Sequence, residues 1–297
     1  PQIVIIKNRI FMIKRQYGKH KEFLSVIGLG GIAVKGQGQN NANNLVSLAY
    51  DHGVNYFDVA PGYGDAQELF GVALENYRKK IFLACKTGKR NSKESRLDLE
   101  NSLRLLKTDY VDLYQLHGMK TRDDFIQATR SDGAMETLVT AKEEGKVRYL
   151  GFSCHSIEVA KLLIGHFNFD SILFPVNWAL ILKNDFGPEI IKICKDKNIA
   201  ILALKTMAHK LWDNPSIRKY KNCWYQPLDD TEMINLSVKF TLSQPVVSFL
   251  PPGDPGLFLK GLDAVKQFHP ITEREKNFLA EEARRTNSIG SKTEVFI

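Results

Sequence analysis

The chain has 297 residues and a formal net charge of +8, which is long for one sandwich and ordinary for one α/β barrel of roughly 250 residues. Hydrophobic residues make up 43% and charged residues 25%, the balance of a soluble globular protein with apolar mass for a full core. The positive charge favours anionic ligands, but Arg and Lys are spread along the chain and not interleaved with aromatics in one block. Nucleic acid is therefore not the expected partner.

No apolar run approaches the roughly 20 residues of a membrane span, so no membrane partner is expected. Cys85, Cys154, Cys194 and Cys223 have neither metal spacing nor a disulfide framework. No metal site is expected, and buried thiols suit a reducing, cytoplasmic setting. Before Glu22 come Lys7, Arg9, Lys14, Arg15, Lys19 and Lys21 with no acid, and the apolar run Ile3–Ile6 is too short for a signal core. A leader ahead of Pro1 is left open.

Residues 9–26 read as a hairpin: Ile10–Ile13, a turn at Tyr17-Gly18-Lys19, then Phe23-Leu24. From Ser25 on, one unit recurs, a strand of four to six mostly apolar residues followed by a polar-capped helix. The spacing predicts strands at 26–30, 54–58, 81–85, 111–116, 147–152, 171–176, 199–204 and 246–250. Helical periodicity lies between them, marked by Leu45/Leu48/Ala49, Leu69/Val72/Ala73, Leu99/Leu103/Leu106, Leu138/Ala141, Val159/Leu162/Leu163, Ile190/Ile191/Cys194 and Met233/Leu236/Phe240. A last helix is predicted over 272–286, capped by Thr272 with Glu273 and Glu275 in its first turn. Apolar strands alternating with amphipathic helices argue for a parallel sheet covered by helices. Eight such units close as a (β/α)8 TIM barrel. The expected organisation is one domain over 1–297, with an N-terminal hairpin within 1–25 and extra C-terminal helices. Two connections are long, Gly118–Asp132 and Met207–Asp230. The second carries Trp212, Tyr220, Trp224 and Tyr225, as binding loops on the C-terminal face of a barrel do.

Three predicted strands end on ionisable residues: Asp58, Lys86 and His117. Tyr63 follows the first in Pro61-Gly-Tyr-Gly64. Barrel active sites sit at the C-terminal ends of strands, so the four are expected to face one pocket. A tyrosine near pKa 10 is a poor proton donor at pH 7. A neighbouring ammonium lowers that value, which Lys86 would do while Asp58 holds it charged. His117 would donate a hydrogen bond to a substrate oxygen. The set is an acid for a developing alkoxide. It has no strong nucleophile and no metal cluster, which argues against hydrolysis and metal chemistry; what the set lacks is an electron source, which must be a cofactor. Taken singly each residue has a plain alternative, a cap, a packing ring, an exposed lysine or a core histidine.

The chain also resembles the aldo-keto reductases from its hairpin to its final helix. The resemblance is carried by Phe57-Asp-Val-Ala-Pro-Gly-Tyr-Gly64, Cys85-Lys-Thr87, Asp109-Tyr-Val-Asp-Leu-Tyr-Gln-Leu-His117 and Gly145-Lys-Val-Arg-Tyr-Leu-Gly-Phe-Ser153. It implies a tetrad of Asp58, Tyr63, Lys86 and His117, and reduction of a small-molecule aldehyde or ketone with NADPH, or NADH, as cofactor. It further implies Gly31 and Ile32 beside the nicotinamide, Ser153 and Asn177 on its carboxamide, and Gly253, Asp254 and Leu257 near the pyrophosphate. Lys205, Thr206 and Met207 would stand where many members stack an aromatic ring on the nicotinamide. Family habit implies a monomer or small homo-oligomer.

The departures resemble a divergent, bacterial-type branch without an iron–sulfur domain. Cys154-His155 follow Ser153 where many members carry Asn. Lys260 is the only cation close after the eighth strand, so a 2′-phosphate reader is not evident. Two other readings compete. Gly28-Leu-Gly-Gly-Ile-Ala33 fits a dinucleotide fingerprint, but the loop-like Lys35-Gly-Gln-Gly38 follows where a helix should open. A non-catalytic nicotinamide-binding regulatory or scaffold protein on the same fold is the alternative function.

Overall fold

The hairpin forms as β1 (Lys14–Gln16) paired antiparallel with β2 (Phe23–Ser25). The computed structural model describes residues 12–296, and the start of the expected first strand lies outside them. Tyr17, in the hairpin turn, is fully buried. Its ring centroid lies 5.0 Å from that of Phe82 and 5.3 Å from that of Tyr149. Both partners lie at or near the beginnings of barrel strands, so the hairpin plugs the bottom of the barrel.

Eight parallel strands follow: β3 (Leu29–Gly30), β4 (Tyr56–Asp58), β5 (Phe82–Thr87), β6 (Val111–Met119), β7 (Val147–Cys154), β8 (Ser171–Pro175), β9 (Ala200–Leu204) and β12 (Ser248–Phe249). They lie in chain order across the sheet. The ends meet where Ile27 bridges Phe249. There the Phe249 amide donates to the Val26 carbonyl and the Gly28 amide to the Phe249 carbonyl, each at 2.9 Å. The sheet is therefore closed by the strand stretch expected at 26–30, of which only Leu29–Gly30 is regular.

Around it run α1 (Gln39–Asp51), α2 (Ala66–Ala73), α3 (Ser92–Leu105), α4 (Arg122–Thr129), α5 (Ala134–Glu143), α6 (Ile157–His166), α7 (Trp178–Asn184), α8 (Pro188–Asp196), α9 (Thr231–Leu242), α10 (Pro255–Lys266) and α11 (Glu273–Arg285). Thr272 caps α11 in a reciprocal box with Glu275. The connection read as loop over 118–132 holds α4, opened by a similar Thr121–Asp124 box. The aromatic connection 207–230 holds a hairpin of β10 (Ala208–Leu211) and β11 (Tyr225–Pro227). Helix α10 was not expected from periodicity, and Asp254 caps it. The glycines after β3 lead into a 3-10 turn, Gly31–Ala33, and α1 starts only at Gln39. The dinucleotide fingerprint thus opens no helix, and its reading fails on context.

Strand alternation sets inside and outside. Phe57 packs edge-on against Phe70 of α2, at 6.0 Å between centroids. Its neighbours Tyr56 and Asp58 point the other way, into the barrel. Tyr56, Phe82, Ala84, Leu113, Leu173 and Leu202 fill the interior. Buried charge near the bottom is paired. The Asp112 carboxylate accepts from Arg78 at 2.9 Å, from Arg148 at 2.7 Å and from the Leu83 amide at 2.9 Å.

Candidate active site

The interior parity of β4, β5 and β6 carries Asp58, Lys86 and His117 to the C-terminal end of the barrel. Strand pairing sets Asp58 opposite Ala84, and Lys86 opposite Gln115. Lys86 therefore sits one layer above Asp58. It is fully buried. Its ammonium pairs with Asp58 Oδ1 and donates to the Val59 carbonyl at 3.3 Å. The other oxygen, Oδ2, accepts from the Tyr56 hydroxyl at 3.1 Å and from Gln115 Nε2 at 3.4 Å. Asp58 is thus bound on both oxygens, which fixes the orientation of its carboxylate.

Tyr63 reaches over this pair from the turn between β4 and α2. Its ring centroid is 5.3 Å from Lys86 Nζ, and 5.7 Å from the His117 ring, which meets it edge-on at 82°. Gly64, at φ +61, makes the turn that presents Tyr63. The four residues expected together are together.

Their protonation states follow from burial and charge. Burial pushes the Tyr63 phenol up, the Lys86 ammonium pulls it down, and the net is a value raised from 10.0. The expected lowering of Tyr63 is therefore outweighed by desolvation, and the phenol keeps its proton at neutral pH. Lys86 is pulled down by burial, but Asp58 overcomes this and its pKa is raised from 10.5. It remains a cation. His117 is pushed down to about 3 by burial and then by the charges of Lys86, Arg90 and Lys120. It is a neutral imidazole with one N–H to give.

Asp58, Tyr63 and His117 line a cavity of about 540 Å³; Lys86 lies behind its wall. A more open groove of about 970 Å³ runs along α4 and α6 and holds none of the four. Among the residues expected to hold a cofactor, Ile32, Ser153, Lys205 and Gly253 line the cavity, whereas Gly31, Asn177, Thr206, Met207, Asp254 and Leu257 do not. The reasons are local. Asn177 spends its amide on structure: Nδ2 donates to the Lys205 and Ala208 carbonyls, each at 2.9 Å, and Oδ1 caps α7. Asp254 Oδ1 accepts from the Leu257 amide at 3.1 Å, capping α10. Thr206 and Met207 are fully buried. Ser153 accepts from the Gly118 amide at 2.7 Å. Lys260 is tied to Asp229, donating to its carbonyl at 2.7 Å and to Oδ1 at 2.5 Å, and it does not line the cavity.

Sequence reasoning missed several lining residues. Leu204, at the end of β9, faces the cavity just before the Lys205-Thr-Met run. His155 lines it too, 8% exposed, with neither ring nitrogen hydrogen-bonded. Its place two residues beyond Ser153 was the available signal. Asn222 reaches across the cavity mouth and donates to the Ile32 and Lys35 carbonyls at 3.3 and 3.2 Å. Gly253 lies against Ile32 so closely that a Cβ there would come within 2.0 Å of Ile32 Cγ2.

A closed β/α barrel with an acid–base cluster on its C-terminal rim defines the class. The chain matches the aldo/keto reductase family over residues 26–246 and belongs to it, an oxidoreductase family whose members are generally NAD(P)H-dependent carbonyl reductases. It is 28% identical over 272 residues to the uncharacterized oxidoreductase YqkF of Bacillus subtilis, covering 82% of this chain and 87% of that protein. It is 27% identical over 211 residues to the aldo-keto reductase YhdN of the same organism, covering 66% and 61%. The holo form of aldo-keto reductase AKR11C1 from Bacillus halodurans superposes with a TM-score of 0.72 at 22% identity, over 92% of this chain and 96% of that one. That likeness shows the fold.

Proposed function

We propose that the chain reduces an aldehyde or ketone to an alcohol with NADH or NADPH, and that Tyr63 is the proton donor. The observation that carries this is the buried Asp58–Lys86 pair set against the Tyr63 ring, with the His117 ring meeting that ring edge-on. When bound, the nicotinamide supplies the hydride. The protein's part is to bind, orient and protonate. His117 donates a hydrogen bond to the carbonyl oxygen and, being uncharged, does not compete as an acid. As negative charge grows on that oxygen, Tyr63 gives up its proton. The Lys86 ammonium then stabilises the phenolate left behind.

The cavity's polar groups fit an anionic nucleotide. Its lining cations are Lys35, Lys120 and Lys205, while its one lining carboxylate, Asp58, is already paired. Buried, unpartnered His155 nitrogens await a polar group. In this reading Ile32, Ser153, Lys205 and Gly253 touch the nucleotide. Gly31, Asn177, Thr206, Met207, Asp254 and Leu257 hold those residues from behind. The four cysteines are free and buried, which supports a reducing, cytoplasmic setting.

Fluorescence titration with NADPH and NADH, followed by turnover on a panel of aldehydes and quinones, tests the proposal. Saturable binding with turnover that Tyr63→Phe lowers by about 10²-fold or more is expected. Binding of neither nucleotide, or turnover untouched by that substitution, would overturn it.

A further inference from the structure

A second polar cluster occupies the same cavity. Lys205 follows β9 and is 9% exposed; His155 directly follows β7 and is 8% exposed. Both line the cavity. Lys205 Nζ lies 4.2 Å from the Trp224 ring centroid and 4.7 Å from that of Tyr225. Among the described residues no carboxylate acts on it; the acidic group that does is the Cys223 thiol. A buried ammonium without an anion is costly. The fold nevertheless builds this arrangement deliberately. Lys205 takes a left-handed backbone, φ 65, a conformation disfavoured for a residue with a Cβ. The Asn177 amide holds that turn by donating to the Lys205 carbonyl at 2.9 Å.

We propose that Lys205, together with His155, forms a subsite for a phosphoryl or carboxylate group in this cavity. The ring faces of Trp224 and Tyr225 attract the ammonium but cannot neutralise it, so its charge is left for a ligand. The imidazole of His155 adds a hydrogen-bond donor. The occupant is either the diphosphate of a dinucleotide or an acidic group on the carbonyl compound. Its identity rests on the function proposed above; the subsite does not.

The surroundings make binding proton-linked. Burial brings Lys205 down to about 7. The groups facing it give no negative charge at neutral pH. Cys223 is pushed up to about 11 by burial, Tyr225 is pushed far up by burial, and burial followed by the charges of Lys205, Lys120 and His117 keeps His155 neutral. An arriving anion favours the ammonium, so binding takes up a proton above pH 7 and little below it.

Calorimetric titration of the full chain with inorganic pyrophosphate and with oxalate, in buffers of different ionisation enthalpy, reads this directly. Wild type should bind one or both, with uptake of roughly one proton at pH 8 and much less at pH 6. Lys205→Met should weaken that binding by about tenfold or more and abolish the uptake. Lys205→Arg should retain binding without uptake, since guanidinium does not titrate, which separates lost charge from lost fold. NADH titration of the same variants identifies the source. A weakened dinucleotide assigns the diphosphate. Unchanged NADH binding with a KM raised for glyoxylate but not for glycolaldehyde assigns the substrate. Neither probe binding, or Lys205→Met binding both as wild type does, overturns the subsite. Failure of wild type to bind NADH and NADPH while pyrophosphate or oxalate still binds would overturn the proposed function and leave the subsite standing.

Discussion

Lys86 and Asp58 form a fully buried ion pair whose ammonium also donates to the Val59 carbonyl at 3.3 Å. The pair joins stability to chemistry. Because the Lys86 pKa is raised, the contribution is present in full below its ordinary 10.5 and is lost only as pH climbs through the folded value. Asp58→Asn leaves a buried cation without its counter-ion. Breaking a buried pair in this way costs about 3–5 kcal/mol. Urea unfolding at pH 7 should show that loss, and carbonyl reduction should fall with it.

Tyr63→Phe keeps the ring and its packing but removes the proton. Turnover should drop by about 10²–10⁴-fold, with nucleotide affinity and Tm unchanged. Single-turnover kinetics beside a fluorescence titration would separate the two effects. The raised Tyr63 value also places the loss of reductase activity at alkaline pH. A falling limb near neutrality would contradict that assignment.

His117 is neutral because burial and then the charges of Lys86, Arg90 and Lys120 hold it down to about 3. The unfolded chain protonates this residue near 6.5 and the folded chain does not. Below 6.5 the unfolded state thus binds more protons, and stability falls as pH drops toward 3. At pH 5 this amounts to about 2 kcal/mol. Denaturation at pH 7 and pH 5 should show the loss, and His117→Asn should reduce it. NMR of the His117 ring should show no titration between pH 5 and 8.

Asp112 anchors the opposite end of the barrel, binding Arg78, Arg148 and the Leu83 amide. Asp112→Ala strands the buried Arg78 cation, at a cost of about 3–5 kcal/mol. The folded fraction should keep its kcat/KM, because no atom of this cluster lines the cavity. A matching loss of specific activity per folded molecule would show coupling between the two ends.

Gly253→Ala drives a Cβ to within 2.0 Å of Ile32 Cγ2. Both residues line the cavity, so one wall must shift. Nucleotide affinity should fall by about tenfold, or 1.4 kcal/mol, with little change in the pH profile that reports Tyr63. Equilibrium titration of the variant checks this.

Much of this molecule was legible in its sequence for reasons of period and position. Strand–helix alternation gave eight units, and chain-order closure follows from that count. The site was legible because strands alternate: Asp58, Lys86 and His117 lie at or within two residues of the ends of three successive strands, and a turn of Pro and Gly delivers Tyr63. Local pattern could not give what depends on partners distant in sequence. Asn177 is a plain polar residue until Lys205 and Ala208, some 30 positions later, consume its amide. Lys260 reads as a free cation until Asp229 binds it. The direction of the Tyr63 shift is a contest between desolvation and a neighbouring charge, and burial is known only once the chain is packed. Lys205 shows the same dependence. Its sequence marks it as a basic residue after a strand, and only the tertiary structure strips it of water and sets its amine against Trp224 and Tyr225.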